Sequence, residues 1–165
     1  MGSGKSSIGK KLSKMMKFDF VDTDNLIEEN TGVDIPTIFE HEGETGFRER
    51  ESKILQEISD YHQTVVGTGG GIIISKKNRE IIKKMGFAVY LTASIKELVY
   101  RTEHDKNRPL INSDDAENKI RNIINDRKEY YENTSNMTIS TDNYDTVKIS
   151  KIIIKNYEKY KKNNS

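Results

Sequence analysis

Apolar residues recur along this chain in two alternating rhythms. Ile8, Leu12 and Met15/Met16 fall at helical spacing and predict a helix from Ser6 to Lys17. FDFVDTD at 18–24 reads as a short strand ending in acids, and Asn25 to Asn30 as a helix stopped by Thr31-Gly32. DIPTIFEHEG predicts one or two helical turns, with Pro36 tolerated in the first turn. Phe47, Ile54, Leu55 and Ile58 give an inward face to a longer helix over Thr45 to Tyr61. TVVGTGGGIII at 64–74 predicts a strand running into three glycines, followed by a helix from Lys76 to Lys84 that Gly86 closes. FAVYL at 87–91 is a continuous apolar run, the signature of a strand covered on both faces. Ser94 caps a helix to Thr102, and the polar run EHDKNRPLINSDD at 103–115 predicts a mobile loop. A helix over Ala116 to Tyr131, a strand over Met137 to Ser140 and a last helix over Asp145 to Tyr160 complete the chain. Strands alternating with helices predict an α/β fold with a parallel sheet and right-handed crossovers.

Composition narrows this picture. The 165 residues suit one domain, and no repeat, linker or low-complexity block divides them. The formal charge is +1, from 27 basic and 26 acidic residues, which gives no electrostatic footprint for nucleic acid or an anionic membrane. The apolar runs are too short to span a bilayer, and the start has no signal-peptide pattern. With no cysteine there is neither a disulfide framework nor a thiolate metal site, which fits a reducing cytoplasm. Only 33% of residues are hydrophobic, so the core is lean and each buried strand counts.

Six stretches carry candidate chemistry. MGSGKSS holds the second half of the phosphate-loop pattern G-x-x-x-x-G-K-[ST], directly before a helix. In it the backbone N–H groups of Gly2, Gly4 and Lys5 can wrap a phosphate, the Lys5 amine reaches the terminal phosphates, and the Ser6 hydroxyl takes Mg²⁺; the competing reading is a merely glycine- and serine-rich start. Asp22 and Asp24 lie at the end of a predicted strand, the edge at which ligands bind in open α/β sheets. Alternation puts both on one side, where one holds Mg²⁺ through water and the other faces a substrate hydroxyl; the competing reading is an N-cap pair. Arg48 and Glu51, three apart in FRERE, are either a surface ion pair or an anion-binding arginine steadied by a carboxylate. Gly69-Gly70-Gly71 marks either a tight turn or a close backbone approach to a ligand. Arg108 in the polar loop, and Arg127 late in a helix, are either solvated or aimed at anions. No G-x-G-x-x-G is formed, so a dinucleotide fold is not supported.

In this order, MGSGKSSIGKKL, FVDTDNLIEENTG, IPTIFEHEGETGFRERE, GTGGGII, VYLTAS, NRPL and DRKEYYE resemble shikimate kinase, from residue 1 to about residue 140. The resemblance implies a nucleoside-monophosphate-kinase-like fold: a five-stranded parallel sheet between two helical layers, with a phosphate loop and a lid at about 103–115, in one kinase domain over 1–165. It implies phosphorylation of the 3-hydroxyl of shikimate by ATP with Mg²⁺, in a cytoplasmic monomer. Gly2 to Ser7 would hold the ATP phosphates, with Ser6 on Mg²⁺ and Asp22 near it. Asp24 would contact the accepting hydroxyl, and Lys5, Asp24 and Arg108 would carry the catalysis. Arg48 and Arg127 would grip the shikimate carboxylate, with Glu51 orienting Arg48 and the Gly70 backbone touching shikimate. Arg108 would face ATP from the lid, Arg101 would lie near the adenine, and Asn143 is the nearest match to a further adenine contact.

The sequence departs from the family pattern at its front. The strand ahead of the phosphate loop, and the loop's first glycine, would precede Met1. The expectation is therefore a start assigned at an internal methionine, and a sheet lacking its central strand between those near 64–67 and 87–90. Two other functions compete: a small-molecule kinase of the same fold, such as a gluconate-type or nucleotide kinase, and a nucleotide-binding protein inactivated by truncation. The paired arginines with FRxxE and GGG favour a small carboxylic acid.

Overall fold

The computed structural model describes residues 2–103, 116–142 and 145–164. In chain order these form α1 (Lys5–Met16), β1 (Asp19–Asp22), α2 (Thr23–Thr31), α3 (Ile35–Glu57), β2 (Thr64–Gly67), a 3-10 turn (Ile72–Ile74), α4 (Lys76–Met85), β3 (Val89–Thr92), α5 (Ile95–Glu103), α6 (Ala116–Thr134), β4 (Met137–Ser140) and α7 (Thr146–Asn164). Local signals explain most of the helix starts. Asp34 accepts from the Thr37 N–H at 3.0 Å with Pro36 in the first turn, Ser75 accepts from the Asn78 N–H, and Asp145 accepts from the Lys148 N–H at 2.7 Å. The lid expected at 103–115 lies, from residue 104 on, outside the described residues.

All strand pairing is parallel, as the βα alternation predicts. β1 pairs with β2 from Asp19–Thr64 to Asp22–Gly67, and β3 pairs with β4 from Val89–Met137 to Thr92–Ser140. Four strands of the implied five are present, and among the described residues no ladder joins one pair to the other. Helices do that work instead. Ile8 and Leu12 of α1 and Ile149 and Ile153 of α7 form one cluster against Val65 of β2, Val89 and Leu91 of β3 and Ile139 of β4. On the opposite face, Val66 packs with Ile27, Ile38, Phe47 and Ile54 of α2 and α3, and Tyr90 stacks on Tyr131 of α6. The fold is thus three layers, helix–sheet–helix. Although both faces are covered, every residue of β2 and β3 except Gly67 stays only half-buried.

Four expectations are corrected. The strand expected over 18–24 stops at Asp22, and Thr23 and Asp24 open α2, so the two acids do not alternate along one strand. The turns at 34–43 and the helix over Thr45 to Tyr61 meet within α3 at a kink where Gly43 is non-helical (φ 67°, ψ −173°), as their separation predicts, but the second piece ends at Glu57 rather than Tyr61. Ile72–Ile74 coil into a 3-10 turn, with Ile72 and Ile73 buried. Their carbonyls are taken by α4: Asn78 Nδ2 donates to Ile72 at 3.1 Å and Arg79 Nη1 to Ile73 at 2.7 Å. Gly86 does end α4, but at φ 144° rather than in the left-handed helical well.

Because helix packing rather than a ladder unites the strand pairs, the α1–α7 cluster should dominate stability. Ile153→Ala is expected to cost about 2–5 kcal/mol in urea unfolding. Its neighbour Ile152 is exposed, and Ile152→Ala should stay within about 0.5 kcal/mol.

Candidate active site

The phosphate-loop segment ends in a left-handed glycine. Gly4 (φ 79°, ψ 19°) is the N-cap of α1 and no side chain caps the helix there, so its first-turn N–H groups present a positive end to an anion. The chain ahead of it is pinned from the side. Arg101 Nη1 donates to the Gly2 carbonyl at 3.1 Å and to Thr141 Oγ1 at 3.0 Å, Nη2 donates to the Thr141 carbonyl at 3.1 Å, and Nε pairs with Glu97 at 2.8 Å. Arg101 therefore ties the loop to α5 and to the segment after β4. Ser3 is buried, whereas Ser6 and Ser7 are exposed.

Ser6 reaches the end of β1. Its hydroxyl donates to Asp22 Oδ2 at 3.0 Å, while Asp22 Oδ1 accepts from the Asp24 N–H at 3.1 Å. The N-cap reading of Asp22 holds, with one oxygen capping α2 while the other faces the phosphate-loop serine. A hydroxyl and a carboxylate are hard oxygen donors that suit Mg²⁺, which takes few protein ligands and keeps water and phosphate oxygens. Among the described residues no group of three or more His, Cys, Asp or Glu could hold a metal.

A second cluster sits beside the first. Glu51 is fully buried, and its Oε2 accepts from Arg48 Nη1 at 2.5 Å. Arg48 Nε and Nη2 donate to Glu44 Oε1 at 3.2 and 3.0 Å, and the guanidinium lies over the Phe47 ring. The surface-pair reading of FRERE is thus wrong for Glu51. Burial works against the Arg48 charge, but the Glu51 and Glu44 carboxylates outweigh it and hold the pKa up. Burial raises the Glu51 pKa, and the Arg48 guanidinium only partly offsets it. Glu51 Oε1 makes no hydrogen bond among the described residues.

The three glycines are where these side chains close on backbone. A Cβ at Gly69 would lie 2.7 Å from Glu51 Oε1 and 2.8 Å from Asp24 Oδ1, and one at Gly71 would overlap the Arg48 guanidinium. The turn is held on its other side by Thr23, which accepts from the Gly69 N–H at 3.3 Å, and by Tyr131, whose hydroxyl donates to the Gly70 carbonyl at 2.5 Å. Arg127, half-buried one helical turn before Tyr131, lies close enough to lower the pKa of both Tyr131 and Glu51.

Of the residues singled out from sequence, Asp24, Arg48, Glu51, Gly70 and Arg127 thus converge around one turn. Ser6 and Asp22 meet at the end of α1, and Arg101 locks Gly2. Lys5 opens α1 next to Ser6. Arg108 and Asn143 lie outside the described residues. Sequence reasoning missed Thr23, Tyr131 and Thr141. Tyr131 had a signal, since it stands four residues after Arg127 on one helix face.

A capped-by-glycine helix end beside a serine–aspartate pair, on a parallel sheet, defines a phosphate-loop phosphotransferase. The adjoining arginine–carboxylate cluster suits a small anionic acceptor. The family model described as shikimate kinase matches residues 1–158. A shikimate kinase of Vibrio cholerae is 38% identical over 160 residues, covering 97% of this chain and 92% of that protein. One from Legionella pneumophila is 37% identical over 155 residues, covering 94% and 89%. Among solved structures, the shikimate kinase of Acinetobacter baumannii in complex with shikimate superposes with a TM-score of 0.89 at 38% identity, covering 94% of this chain and 87% of that one. That of Bacteroides thetaiotaomicron gives 0.88 at 26% identity, covering 96% and 94%. The chain belongs to the shikimate kinase family, and it is a kinase with ATP as co-substrate.

The buried carboxylate leaves a pH signature. A carboxyl whose folded pKa is raised binds protons more tightly folded than unfolded, so its contribution is fully present below its ordinary value of 4.5 and lost as pH rises through the folded value. Urea unfolding across that range should show this loss in the wild type, and Glu51→Gln should remove it; equal slopes in the two proteins would contradict the assignment.

Proposed function

We propose that this site transfers the γ-phosphoryl group of ATP to the 3-hydroxyl of shikimate, giving shikimate 3-phosphate and ADP, with the following division of labour. Backbone N–H groups of residues 2–7 and the Lys5 amine hold the ATP phosphates against the positive end of α1. Ser6 and Asp22 are the residues that would hold Mg²⁺, which when bound supplies charge neutralisation between the β- and γ-phosphates. Arg48 and Arg127 grip the shikimate carboxylate, a planar anion that a guanidinium fork matches. Glu51 keeps Arg48 aimed, and the Gly70 backbone lines the same side. Asp24 takes the hydroxyl proton as the oxygen attacks phosphorus and the bond to the ADP oxygen breaks. From the sequence resemblance, Arg108 adds positive charge to the transferring group, Arg101 stands at the adenine side with its contact to Thr141, and Asn143 is assigned there too.

The observation that carries this reading is the placement of Arg48 and Glu51 against Gly69–Gly71, with Asp24 on the same turn and Asp22 two residues before Asp24 facing the phosphate-loop serine. It joins an acceptor-anion site to a phosphate site across one helix start. The direct experiment supplies ATP, Mg²⁺ and shikimate to the full chain and follows phosphorus NMR. Appearance of a single phosphate monoester at the 3-position of the shikimate ring with ADP is the expected result, and ATP hydrolysis without ester would overturn the reading.

Two substitution sets separate the halves of the site. Lys5→Met should lose at least about 100-fold in kcat, the scale of one preorganised charge contact in the transition state; near wild-type kcat would refute its role. Arg48→Lys and Arg127→Lys should each weaken shikimate binding in calorimetric titration while ATP binding survives, because a point charge does not replace the fork. Unchanged shikimate affinity in both would refute the carboxylate clamp.

A further inference from the structure

The Tyr131 hydroxyl has no part in the division of labour above, yet it stands at the centre of the acceptor half. It donates to the Gly70 carbonyl at 2.5 Å. A phenol has one O–H, and here it is committed to that carbonyl; Arg127, one helical turn earlier on α6, lies near enough for its charge to act on the phenol. The ring is held in place independently of these contacts. It stacks on Tyr90 with centroids 4.5 Å apart and planes 12° apart, and it packs against the cluster of Leu55, Ile72 and Ile73. Burial pushes the Tyr131 pKa up, so the hydroxyl keeps its proton and stays a donor.

We propose that Tyr131 is a positioning residue for the acceptor substrate, its hydroxyl fixing the Gly69–Gly71 turn beside Arg127. The turn is gripped from two sides: Arg48 of α3 closes on Gly71, and Tyr131 of α6 holds the peptide one residue earlier. Arg127 sits one helical turn from Tyr131, so α6 places one arm of the carboxylate clamp beside the side chain that holds the Gly70 peptide. A purely packing role would need the ring alone, since Phe would satisfy the stack and the apolar cluster. A half-buried hydroxyl that donates to a backbone carbonyl orders that peptide, whereas an unbonded one would only carry a desolvation cost. The proposal rests on the assignment of Gly70 and Arg127 to shikimate binding.

Tyr131→Phe in the full chain removes the hydroxyl and leaves the ring. Shikimate KM, and Kd by calorimetry, should rise about 5- to 20-fold, the scale of one lost neutral hydrogen bond plus a loosened arginine. ATP Kd should stay within about twofold and kcat within about threefold, because the phosphate half is untouched. In the ligand-free protein, the amide resonances of Gly70 and Gly71 and the side-chain N–H of Arg127 should shift. A lowered Tm with unchanged shikimate affinity would make Tyr131 a packing residue and overturn the proposal, as would equal losses for ATP and shikimate. If the wild type itself binds no shikimate, the acceptor reading fails on its own account. The free-protein resonances then still decide the role of Tyr131, which is overturned if they remain at their wild-type positions in Tyr131→Phe.

Discussion

The acceptor half of the site depends on one buried ion pair. Glu51 has no solvent exposure, and a carboxylate in that position is tolerable only because Arg48 lies 2.5 Å away and charged. Removing either partner would strand a charge, so the pair is poor evidence for stability and good evidence for placement. Arg48 is further confined by Glu44 and by the Phe47 ring. With its guanidinium fixed, the chain opposite must have no side chain, and glycine at 71 meets that demand, while glycine at 69 leaves room for the Glu51 and Asp24 carboxylates. The GGG run is therefore explained by what approaches it as well as by the turn it makes.

The fold supplies the rest through a small number of attachments. α3 delivers Arg48 and Glu51, the turn after β2 delivers Gly70, and α6 delivers Arg127 and Tyr131. The 3-10 turn joins them, because Ile72 and Ile73 share a core with Leu55 of α3 and Tyr131 of α6. The phosphate half is built separately, from the start of α1 and the end of β1, and Arg101 braces it from α5. The two halves meet at the start of α2, where Asp22 turns to the phosphate loop and Asp24, two residues later, lies against Gly69. The β1–β2 ladder, which ends by pairing Asp22 with Gly67, also joins these halves, whereas among the described residues no ladder ties that pair to β3 and β4, which meet it through the α1–α7 core.

Much of this was legible in residue order. FAVYL announced a strand covered on both faces, and Val89 and Leu91 do turn to α1 and α7 while Tyr90 turns to α6. Lys5 and Ser6 were readable because a phosphate loop is local, and Asp24, Arg48 and Arg127 because the motifs stand in the family's order. What local pattern could not give was depth. Glu51 reads the same at a helix surface as in a core, and only the return of the glycine turn buries it. Strand ends were also misjudged: Asp22 and Asp24 suit a strand by alternation, but the Asp22 side chain caps the next helix and ends the strand first. The break between the helical pieces of α3 was legible, and Gly43 makes it as a kink. Tyr131 was passed over because an aromatic late in a helix usually belongs to the core, and its ring does; only the hydroxyl distinguishes it.

The central claim is that Glu51 acts on shikimate through Arg48 and not by a contact of its own. A double-mutant cycle on shikimate affinity tests it, using Glu51→Gln, Arg48→Lys and the two combined, with ATP affinity as a control for folding. If Glu51 works by aiming the Arg48 fork, the double mutant should bind shikimate about as weakly as Arg48→Lys alone, because a lysine has no fork to aim. Losses that simply add would mean that Glu51 and Arg48 contribute independently, and the account of the buried pair would be contradicted.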